Sequence, residues 1–364
     1  MKRFSFCSLL HVSLAATLLA IAFFALVACN NSEKKPEQAK LSIVATIYPE
    51  YDWIKEVLGS QADSVNLTLL LKNGIDLHSY KPTAQDIAKI ASADMVVYVG
   101  GESDEWIEDA LKATPKKGRS QINLMEILGD RVKAEEIVEG MQAEEEHHDH
   151  NKVIEPAEMT HNDEHEHHAE HAEEHEHHHH HDEEVENDEH VWLSLKNAEI
   201  MVKKIAEELS KLDAAHATIY KQNTDAYVAQ IQALDAEYRE TVEKATRKTI
   251  LFGDRFPFRY LVDDYSIKYY AAFVGCSAES EASFETIAFL AGKMDAESLP
   301  VIFTIENSNG KIAKAVLSAS KKSQNAQILI LNSMQSVTEK QIAEGIDYLS
   351  LMKSNLDVLK KALN

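Results

Sequence analysis

The feature that most limits how this chain can fold is a tract of histidine and acidic residues near its middle. Residues 144–189 hold 19 acidic residues and one lysine, so they carry −18 of the formal net charge of −23. Residues 147–181 hold 14 of the 18 histidines and few apolar side chains. Because such a segment cannot bury enough apolar surface to offset the entropy of ordering it, we predict a disordered loop over residues 144–189. Folded chain is expected on both sides of this loop.

The composition of the loop also indicates a chemistry. Imidazole is the donor that zinc, copper, iron and nickel favour, and near neutral pH it is mostly unprotonated. We predict a mobile, multi-site collector of metal ions. The alternative is a solvated acidic linker, which explains the charge but leaves the histidines without a role. The collecting histidines are His147, His148, His150, His161, His165, His167, His168, His171, His175, His177, His178, His179, His180 and His181.

The N-terminus predicts export from the cytoplasm. Two basic residues are followed by an apolar run over about residues 9–27 and then by Ala28-Cys29, the parts of a secretory signal. The cysteine after a small residue resembles a bacterial lipoprotein box, which implies a signal peptide over 1–28, lipidation of Cys29 and a flexible tether over 29–40. A transmembrane anchor is the alternative, because the run is near the ~20 residues that a span needs. Both place the body outside the cytoplasm, attached to a bacterial membrane.

The remaining charge and the cysteines exclude several classes of protein. Outside the tract the chain is moderately acidic and shows no basic patch, so we expect no nucleic acid as a partner. Cys7 leaves with the signal peptide and Cys29 carries lipid, so Cys276 has no cysteine with which to form an intramolecular disulfide. We expect Cys276 to be a small buried residue, with a metal ligand as the alternative.

Before the loop, short apolar segments alternate with helical patterns. Strands are expected at residues 41–48, 64–71 and 95–99, and helices at 51–58, 82–92 and 105–112. Strands buried on both faces and alternating with helices predict a parallel sheet covered by helices. We therefore predict an N-terminal α/β lobe over residues 41–212, which includes the loop.

A long helix and a second lobe follow. Residues 213–247 contain no glycine or proline and have apolar residues at helical spacing, which predicts a linking helix about 50 Å long. Beyond it we expect a C-terminal α/β lobe over 248–364. Its strands are expected at 249–253, 267–273, 300–305 and 327–331, and its helices at 283–294, 312–319 and 338–363. The predicted fold class is α/β, with two parallel-sheet lobes joined by a long rigid helix and a metal site in the cleft between them.

Two histidines outside the loop occupy positions where ligands of such folds are expected. His78 follows the second predicted strand, and His190 ends the acidic tract just before Val191-Trp192-Leu193. A lone loop histidine is usually a polar surface residue. Two of them at such positions, beside a histidine-rich loop, favour metal ligands instead.

Three motifs, taken in order, carry a family resemblance. They are His-Ser-Tyr-Lys-Pro-Thr at 78–83, Glu-His-Val-Trp-Leu at 189–193, and Leu212-Asp213 before a long helix that contains Tyr220 and Asn223. Over essentially the whole mature chain they resemble the metal-binding solute-binding lipoproteins of ABC importers, the cluster A-I family, and most closely its zinc-specific members. The resemblance implies that His78 and His190 bind the metal, that the helix links the lobes rigidly and that the histidine-rich loop marks a zinc protein. It also implies a monomer that passes Zn²⁺ to a membrane permease with its cytoplasmic ATPase.

The second lobe departs from the family pattern. Members usually bring a third histidine after the strand that follows the long helix, where this chain has Arg255, which has no lone pair to donate. Asp254 is the chemically competent neighbour, unless it only pairs with Arg255 or caps the next helix. Asn332 sits where many members place an acidic fourth ligand, and we expect a structural role for His216. The remaining candidate donors are Glu306, Glu279 and Glu281.

These inferences predict an extracytoplasmic zinc receptor that catalyses no reaction. A manganese or iron receptor of the same class is one alternative, although it would need more oxygen ligands than a histidine-rich loop offers. A zinc metallohydrolase is another, because two histidines and a carboxylate leave a tetrahedral position open, but the sequence has no His-Glu-x-x-His run. A surface adhesin or zinc buffer is the third.

Overall fold

The first lobe is built on a four-stranded parallel sheet. The computed structural model describes residues 40–142, 186–277 and 281–364. Within the sheet Ile43 lies opposite Leu67 on one side and Met95 on the other. The strands, in the spatial order β2-β1-β3-β4, are β1 Ser42–Ala45, β2 Asn66–Leu69, β3 Met95–Tyr98 and β4 Ser120–Asn123. Every residue of β3 is buried, as expected for a central strand covered on both faces.

Helices cover this sheet, and short 3₁₀ turns lie between the elements. The helices are α1 Tyr48–Leu58, α2 Ala84–Ser92, α3 Glu105–Ala113, α4 Leu124–Leu128 and α5 Leu195–Leu212. The 3₁₀ turns that matter for the site are Leu77–Ser79 after β2, Glu102–Asp104 after β3 and Val191–Leu193 before α5.

The junction between β1 and α1 differs from the sequence prediction. The strand expected at 41–48 ends at Ala45, and Pro49 lies in the first turn of α1 instead of stopping a strand. Proline is well suited to a first helical turn, where its missing N–H is not needed. Glu50 closes the turn, because its Oε2 accepts the backbone N–H of Thr46 at 2.8 Å and of Ile47 at 3.2 Å.

The linking helix predicted from the sequence is α6, Ala217–Lys244. Its 28 residues correspond to a length of about 42 Å. The buried face includes Tyr220, Tyr227, Ile231 and Tyr238. It packs on α5 and α1 of the first lobe and on the last helix of the second, so it braces both lobes.

The second lobe has shorter strands, all paired in parallel. They are β5 Thr249–Leu251, β6 Arg255–Phe256, β7 Lys268–Tyr270, β8 Phe273–Val274, β9 Val301–Thr304 and β10 Gln327–Ile330. The pairs are β5 with β7, β6 with β8 and β9 with β10, and a parallel bridge between Phe252 and Phe303 joins the first pair to the last. The helices are α7 Arg259–Tyr265, α8 Phe284–Glu297, α9 Lys311–Ala319, α10 Glu339–Ala343 and α11 Tyr348–Leu363.

Two of the predicted elements of this lobe are divided. The helix expected at 338–363 is α10 and α11, because Gly345 adopts a φ of 88° between them and Asp347 caps the new helix by accepting the N–H of Ser350 at 2.7 Å. The strand expected at 267–273 is β7 and β8. Strand β4, whose residues are mostly polar, and the short helix α7 were not predicted.

Residues Leu41–Asn364 form one compact unit, and a single apolar cluster contains core residues of both sheets, such as Ile43 and Phe303. The predicted α/β fold with two parallel-sheet lobes and a linking helix is therefore confirmed. The boundaries 41–212, 213–247 and 248–364 stay predictions. None of the helices in the described part of the chain is long and apolar enough to cross a membrane.

Candidate metal centre

His78 is held at the carboxyl end of β2 by the residue that begins its 3₁₀ turn. Asp76 caps this turn, and its Oδ1 accepts the backbone N–H of His78 at 3.1 Å. The rest of the His-Ser-Tyr-Lys-Pro-Thr motif secures the next helix. Thr83 caps α2, and the Tyr80 hydroxyl donates to Oδ2 of Asp86 at 2.8 Å. The motif therefore fixes the backbone on both sides of the histidine.

His190 is positioned in the same way, by the aspartate two residues before it. Oδ1 of Asp188 accepts the backbone N–H of His190 at 2.8 Å and lies 3.0 Å from its Nδ1. The fully buried His190 ring packs against Trp192, with centroids 5.2 Å apart. Trp192 is anchored in turn, because its Nε1 donates to the carbonyl oxygen of Ser333 in the second lobe at 2.8 Å. His190 is thus fixed by contacts from both lobes.

The two imidazoles converge on one point. Nε2 of His78 lies 3.2 Å from Nε2 of His190. The opposite nitrogens are occupied, since Nδ1 of His78 is 2.8 Å from Oγ of Ser103 and Nδ1 of His190 faces Asp188. When Nδ1 of a histidine carries its proton toward an oxygen, the lone pair remains on Nε2, which is the arrangement of metal-binding histidines. Both lone pairs then point into the same space.

Burial keeps His78 neutral. Burial lowers the pKa of His78 well below its ordinary value, and the neighbouring His190 and Arg255 lower it further. At neutral pH the ring is therefore uncharged and retains its lone pair. The His78 imidazole can therefore bind a metal ion without first losing a proton.

Buried carboxylates surround the histidine pair. Glu189 is buried and its Oε1 accepts the N–H of Ser103 at 2.9 Å, while its Oε2 lies 3.6 Å from Nδ1 of His78 and has no hydrogen-bond partner. Burial raises the pKa of Glu189. The backbone approaches it closely at Gly101, where an added Cβ would lie 2.5 Å from Oε1 of Glu189. A bound cation would offset the cost of burying this carboxylate in its charged form.

A third donor joins the pair from the second lobe. Within the described residues, ligand atoms of His78, His190 and Cys276 all lie within 4.8 Å of one another. The structure therefore brings together both histidines predicted from the sequence and the cysteine expected to be a small buried residue. Cys276 is only partly buried.

The oxygen donors predicted in the second lobe are distributed differently. Asp254 lines the same cavity as His78, a space of about 320 Å³, and its Oδ2 is buried with no hydrogen-bond partner. Its Oδ1 accepts the N–H of Arg255 at 2.9 Å, and burial raises its pKa. Glu281 is exposed, and Glu279 lies outside the described residues.

The side chains of Glu306 and Asn332 accept hydrogen bonds from loop residues. The carboxylate of Glu306 accepts the backbone N–H and the hydroxyl of Ser333 and the N–H of Ser336. Oδ1 of Asn332 accepts the N–H of Met334 at 2.8 Å. Neither residue lines the cavity beside His78 or belongs to the group of three donors. The structure therefore does not bring these two predicted ligands to the histidines.

A comparison with known families accounts for this architecture. The model of the ZnuA family, described as "Zinc-uptake complex component A periplasmic", matches residues 43–362. The chain belongs to the ZnuA family.

Named relatives and solved structures of the ZnuA type agree with this assignment. The chain is 30% identical to the zinc-binding lipoprotein AdcA of Streptococcus pneumoniae over 97% of its own length and 60% of that protein, so it spans about three fifths of that relative. It is 29% identical to the high-affinity zinc uptake system protein ZnuA of Bacillus subtilis, covering 95% of this chain and 96% of that one. The crystal structure of the Zn(II)-bound ZnuA-like domain of S. pneumoniae AdcA superposes with a TM-score of 0.62 at 27% identity, covering 89% and 99% of the two chains.

This ZnuA-family chain has an arginine where the resemblance implied a third histidine. The Arg255 guanidinium forms an ion pair with Asp76 and donates to Oε1 of Gln335 at 3.1 Å. Arg255 therefore supports the turn that carries His78 from across the cleft. It cannot bind a metal ion itself.

Sequence reasoning missed the aspartates that orient the two histidines. Asp76 and Asp188 each precede a histidine by two residues, and each accepts that histidine's backbone N–H. The repeated Asp-x-His pattern is visible in the sequence, and a carboxylate two residues before a turn residue is a known capping signal. Ser103 has no comparable signal, because it reaches His78 only through the fold. His216 has the expected structural role, with Nδ1 2.7 Å from Oδ2 of Asp213 at the start of α6.

Proposed function

We propose that this chain is the extracytoplasmic Zn²⁺ receptor of an ABC importer, which captures the ion and delivers it to a membrane permease with its cytoplasmic ATPase. The observation that carries the proposal is the 3.2 Å separation of Nε2 of His78 and Nε2 of His190. Two nitrogen ligands of a tetrahedral zinc ion lie about 3.3 Å apart when each Zn–N distance is about 2.0–2.1 Å. The pair needs almost no rearrangement to bind zinc.

The chemistry of the site supports zinc over harder ions. Two neutral imidazoles are good ligands for zinc, whereas manganese prefers carboxylate and water oxygens. The names of the relatives given above agree, since each is described as a zinc-binding or zinc-uptake protein. We propose a receptor that catalyses no reaction, because reversible capture requires ligands and a closed cleft but no general base.

Asp254 is the carboxylate that we propose as a ligand from the second lobe. Its buried, unpartnered Oδ2 and its place in the cavity beside His78 support this role. Glu306 and Asn332 stay predictions from the sequence. Both would have to give up their loop hydrogen bonds to reach an ion.

The parts of the receptor that lie outside the described residues belong to the same proposal. They are the signal peptide at 1–28, the lipid anchor on Cys29, the tether and the collecting histidines between 147 and 181. We propose a monomer anchored to a bacterial membrane, in which the histidine-rich loop collects Zn²⁺ and passes it to His78 and His190.

Metal titration tests the proposal. The chain from residue 31 onward, stripped of metal with a chelator, is titrated with Zn²⁺, Mn²⁺ and Fe²⁺ against a competing indicator. We expect one zinc to bind far more tightly than the others and this site to be lost in the His78→Ala, His190→Ala double variant. His216→Ala is the matched control, because the His216 side chain pairs with Asp213 at the start of α6 and its loss should leave the site intact. A tight site that survives the double variant would overturn the proposal.

A further inference from the structure

The loop that carries Cys276 is held directly against His190. Cys276 follows β8, and its backbone N–H donates to Oε1 of Glu135 at 2.9 Å. The residue before it is Gly275, where an added Cβ would lie 3.1 Å from Cε1 of His190 and 2.9 Å from the carbonyl oxygen of Phe256. A side chain at this position would push the loop away from the imidazole. The glycine therefore allows the Cys276 sulfur to approach the histidine pair.

The donor atoms are close to the geometry of a zinc site. The three donor atoms of His78, His190 and Cys276 lie within 4.8 Å of one another. With Zn–N about 2.0–2.1 Å and Zn–S about 2.3 Å, a tetrahedral ion places sulfur about 3.5 Å from each nitrogen. The Cys276 sulfur, which lies within 4.8 Å of both nitrogens, is therefore at most about 1.3 Å farther from them than in such a site.

Carboxylates lie close to the Cys276 thiol and to the two histidines. Asp188 and Glu189 are buried beside the histidines, and Glu135 contacts the Cys276 backbone. Oε2 of Glu189 is buried without a hydrogen-bond partner. A divalent ion would offset this negative charge, and coordination deprotonates a thiol outright.

Among the described residues of the second lobe, Asp254 is another donor at the cleft, and it offers a hard oxygen. Arg255 occupies the place where a third histidine was expected, and its guanidinium is committed to Asp76 and Gln335. The loop after β8 is therefore the element of the second lobe that presents a soft donor to the histidine pair.

We propose that Cys276 binds the captured ion as a thiolate, together with His78 and His190. The inference rests on the proposed function, since it assumes that the two histidines bind metal. On binding, the S–H bond breaks, a Zn–S bond forms and the proton leaves to solvent. A thiolate ligand makes the site softer, so it favours Zn²⁺ and discriminates strongly against Mn²⁺.

Cobalt substitution and thiol reactivity test the proposal. In the chain from residue 31 onward Cys276 is the sole cysteine, so every thiol or thiolate signal belongs to it. We expect the Co²⁺-loaded protein to show a sulfur-to-cobalt charge-transfer absorption that is absent from Cys276→Ser. We also expect one equivalent of Zn²⁺ to protect the thiol from alkylation in the unaltered chain but not in the His78→Ala, His190→Ala variant.

The zinc affinity of Cys276 variants distinguishes a ligand from a residue that only lies near the ion. Loss of groups that only orient ligands weakens metal binding by about 10–100-fold, so loss of a ligand should weaken it by at least about 100-fold in Cys276→Ser. Cys276→His supplies another zinc donor and should restore affinity without the charge-transfer band. Circular dichroism and thermal melting confirm that each variant is folded.

The outcomes for the two proposals differ. A cobalt spectrum without the charge-transfer band, or unchanged zinc affinity in Cys276→Ser, would overturn the thiolate ligand while the receptor function stands. A tight site that also survives loss of both histidines would overturn the receptor proposal itself.

Discussion

At the scale of single residues, one carboxylate oxygen controls each histidine of the pair. Oδ1 of Asp188 contacts both the backbone N–H and Nδ1 of His190, so it fixes the position of the ring and its tautomer together. Asp76 fixes the backbone of His78 and pairs with Arg255 across the cleft. These aspartates determine where the Nε2 lone pairs point.

Replacing Asp188 with asparagine should weaken zinc binding by about 10–100-fold, because the amide carries no charge and orients the imidazole less firmly. Competitive zinc titration of Asp188→Asn measures the effect. Asp109→Asn is the control, since its side chain is 74% exposed on α3. Equal affinities in the two variants would show that Asp188 does not set the geometry of His190.

At the scale of elements, the turn between β1 and α1 contains a buried carboxyl group, that of Glu50. Glu50 is fully buried, and its pKa is raised to about 8, first by burial and then by the nearby carboxyl of Asp104. Its Oε2 is used by the backbone of Thr46 and Ile47, while Oε1 has no hydrogen-bond partner. The folded chain therefore holds a proton on Glu50 that the unfolded chain releases near its ordinary pKa.

This proton makes stability depend on pH. Because the folded-state pKa of Glu50 lies above the unfolded one, its stabilising contribution is present below about pH 4.5 and is lost as the pH rises to about 8. In the unaltered chain the free energy of unfolding should therefore fall between pH 5 and pH 8. In Glu50→Gln we expect this fall to be smaller by on the order of 1 kcal/mol or more. Urea unfolding at both pH values measures this, with the exposed Glu297→Gln as control. Parallel pH profiles for Glu50→Gln and the unaltered chain would contradict the assignment.

At the scale of the whole molecule, the last helix and the linking helix join the lobes. The Tyr348 hydroxyl, at the start of α11, donates to the carbonyl oxygen of Trp192 at 2.8 Å, and its backbone N–H donates to Oδ2 of Asp52 on α1 at 2.9 Å. Tyr238 on α6 donates to the carbonyl oxygen of Met352 at 2.5 Å. These buried bonds connect elements on both sides of the cleft. They hold Trp192, and with it His190, in a fixed frame.

Tyr348→Phe should lower the free energy of unfolding by about 1–3 kcal/mol, because it leaves the buried carbonyl of Trp192 without its donor while filling nearly the same volume. The midpoint of urea unfolding measures the loss. Tyr51→Phe, at a half-buried tyrosine of α1, controls for removal of a hydroxyl elsewhere. A loss no larger than that of Tyr51→Phe would show that this contact between the lobes contributes little.

Deleting residues 147–181 should lower the number of zinc ions bound per chain and leave one tight site. The reason is that the loop supplies many weak imidazole donors, whereas His78 and His190 are held by the folded lobes. Zinc content after dialysis and competitive titration give the number and the affinity. Disappearance of the tight site with the loop would place the primary site in the loop.

The sequence by itself determined the architecture and one half of the site. Apolar β-branched segments alternating with helical patterns predict parallel α/β lobes, because periodicity follows from which faces each element must bury. Helix α6 was predictable from its long apolar stripe without glycine or proline. His78 and His190 were predictable because each lies beside a local motif, and local motifs act over a few residues.

Only the tertiary structure decided what completes the site. Residues 78, 190 and 276 are far apart in the chain, and their approach depends on how two sheets pack and how the loop after β8 closes on His190. Likewise, nothing local predicts that Arg255 pairs with Asp76, 179 positions away, or that Ser103 reaches His78. The sequence therefore predicted Asp254, Glu306 and Asn332 with nearly equal weight. The fold brings Asp254 and Cys276 to the cleft, whereas Glu306 and Asn332 accept hydrogen bonds from loop residues. Packing, and not sequence spacing, sets these long-range contacts.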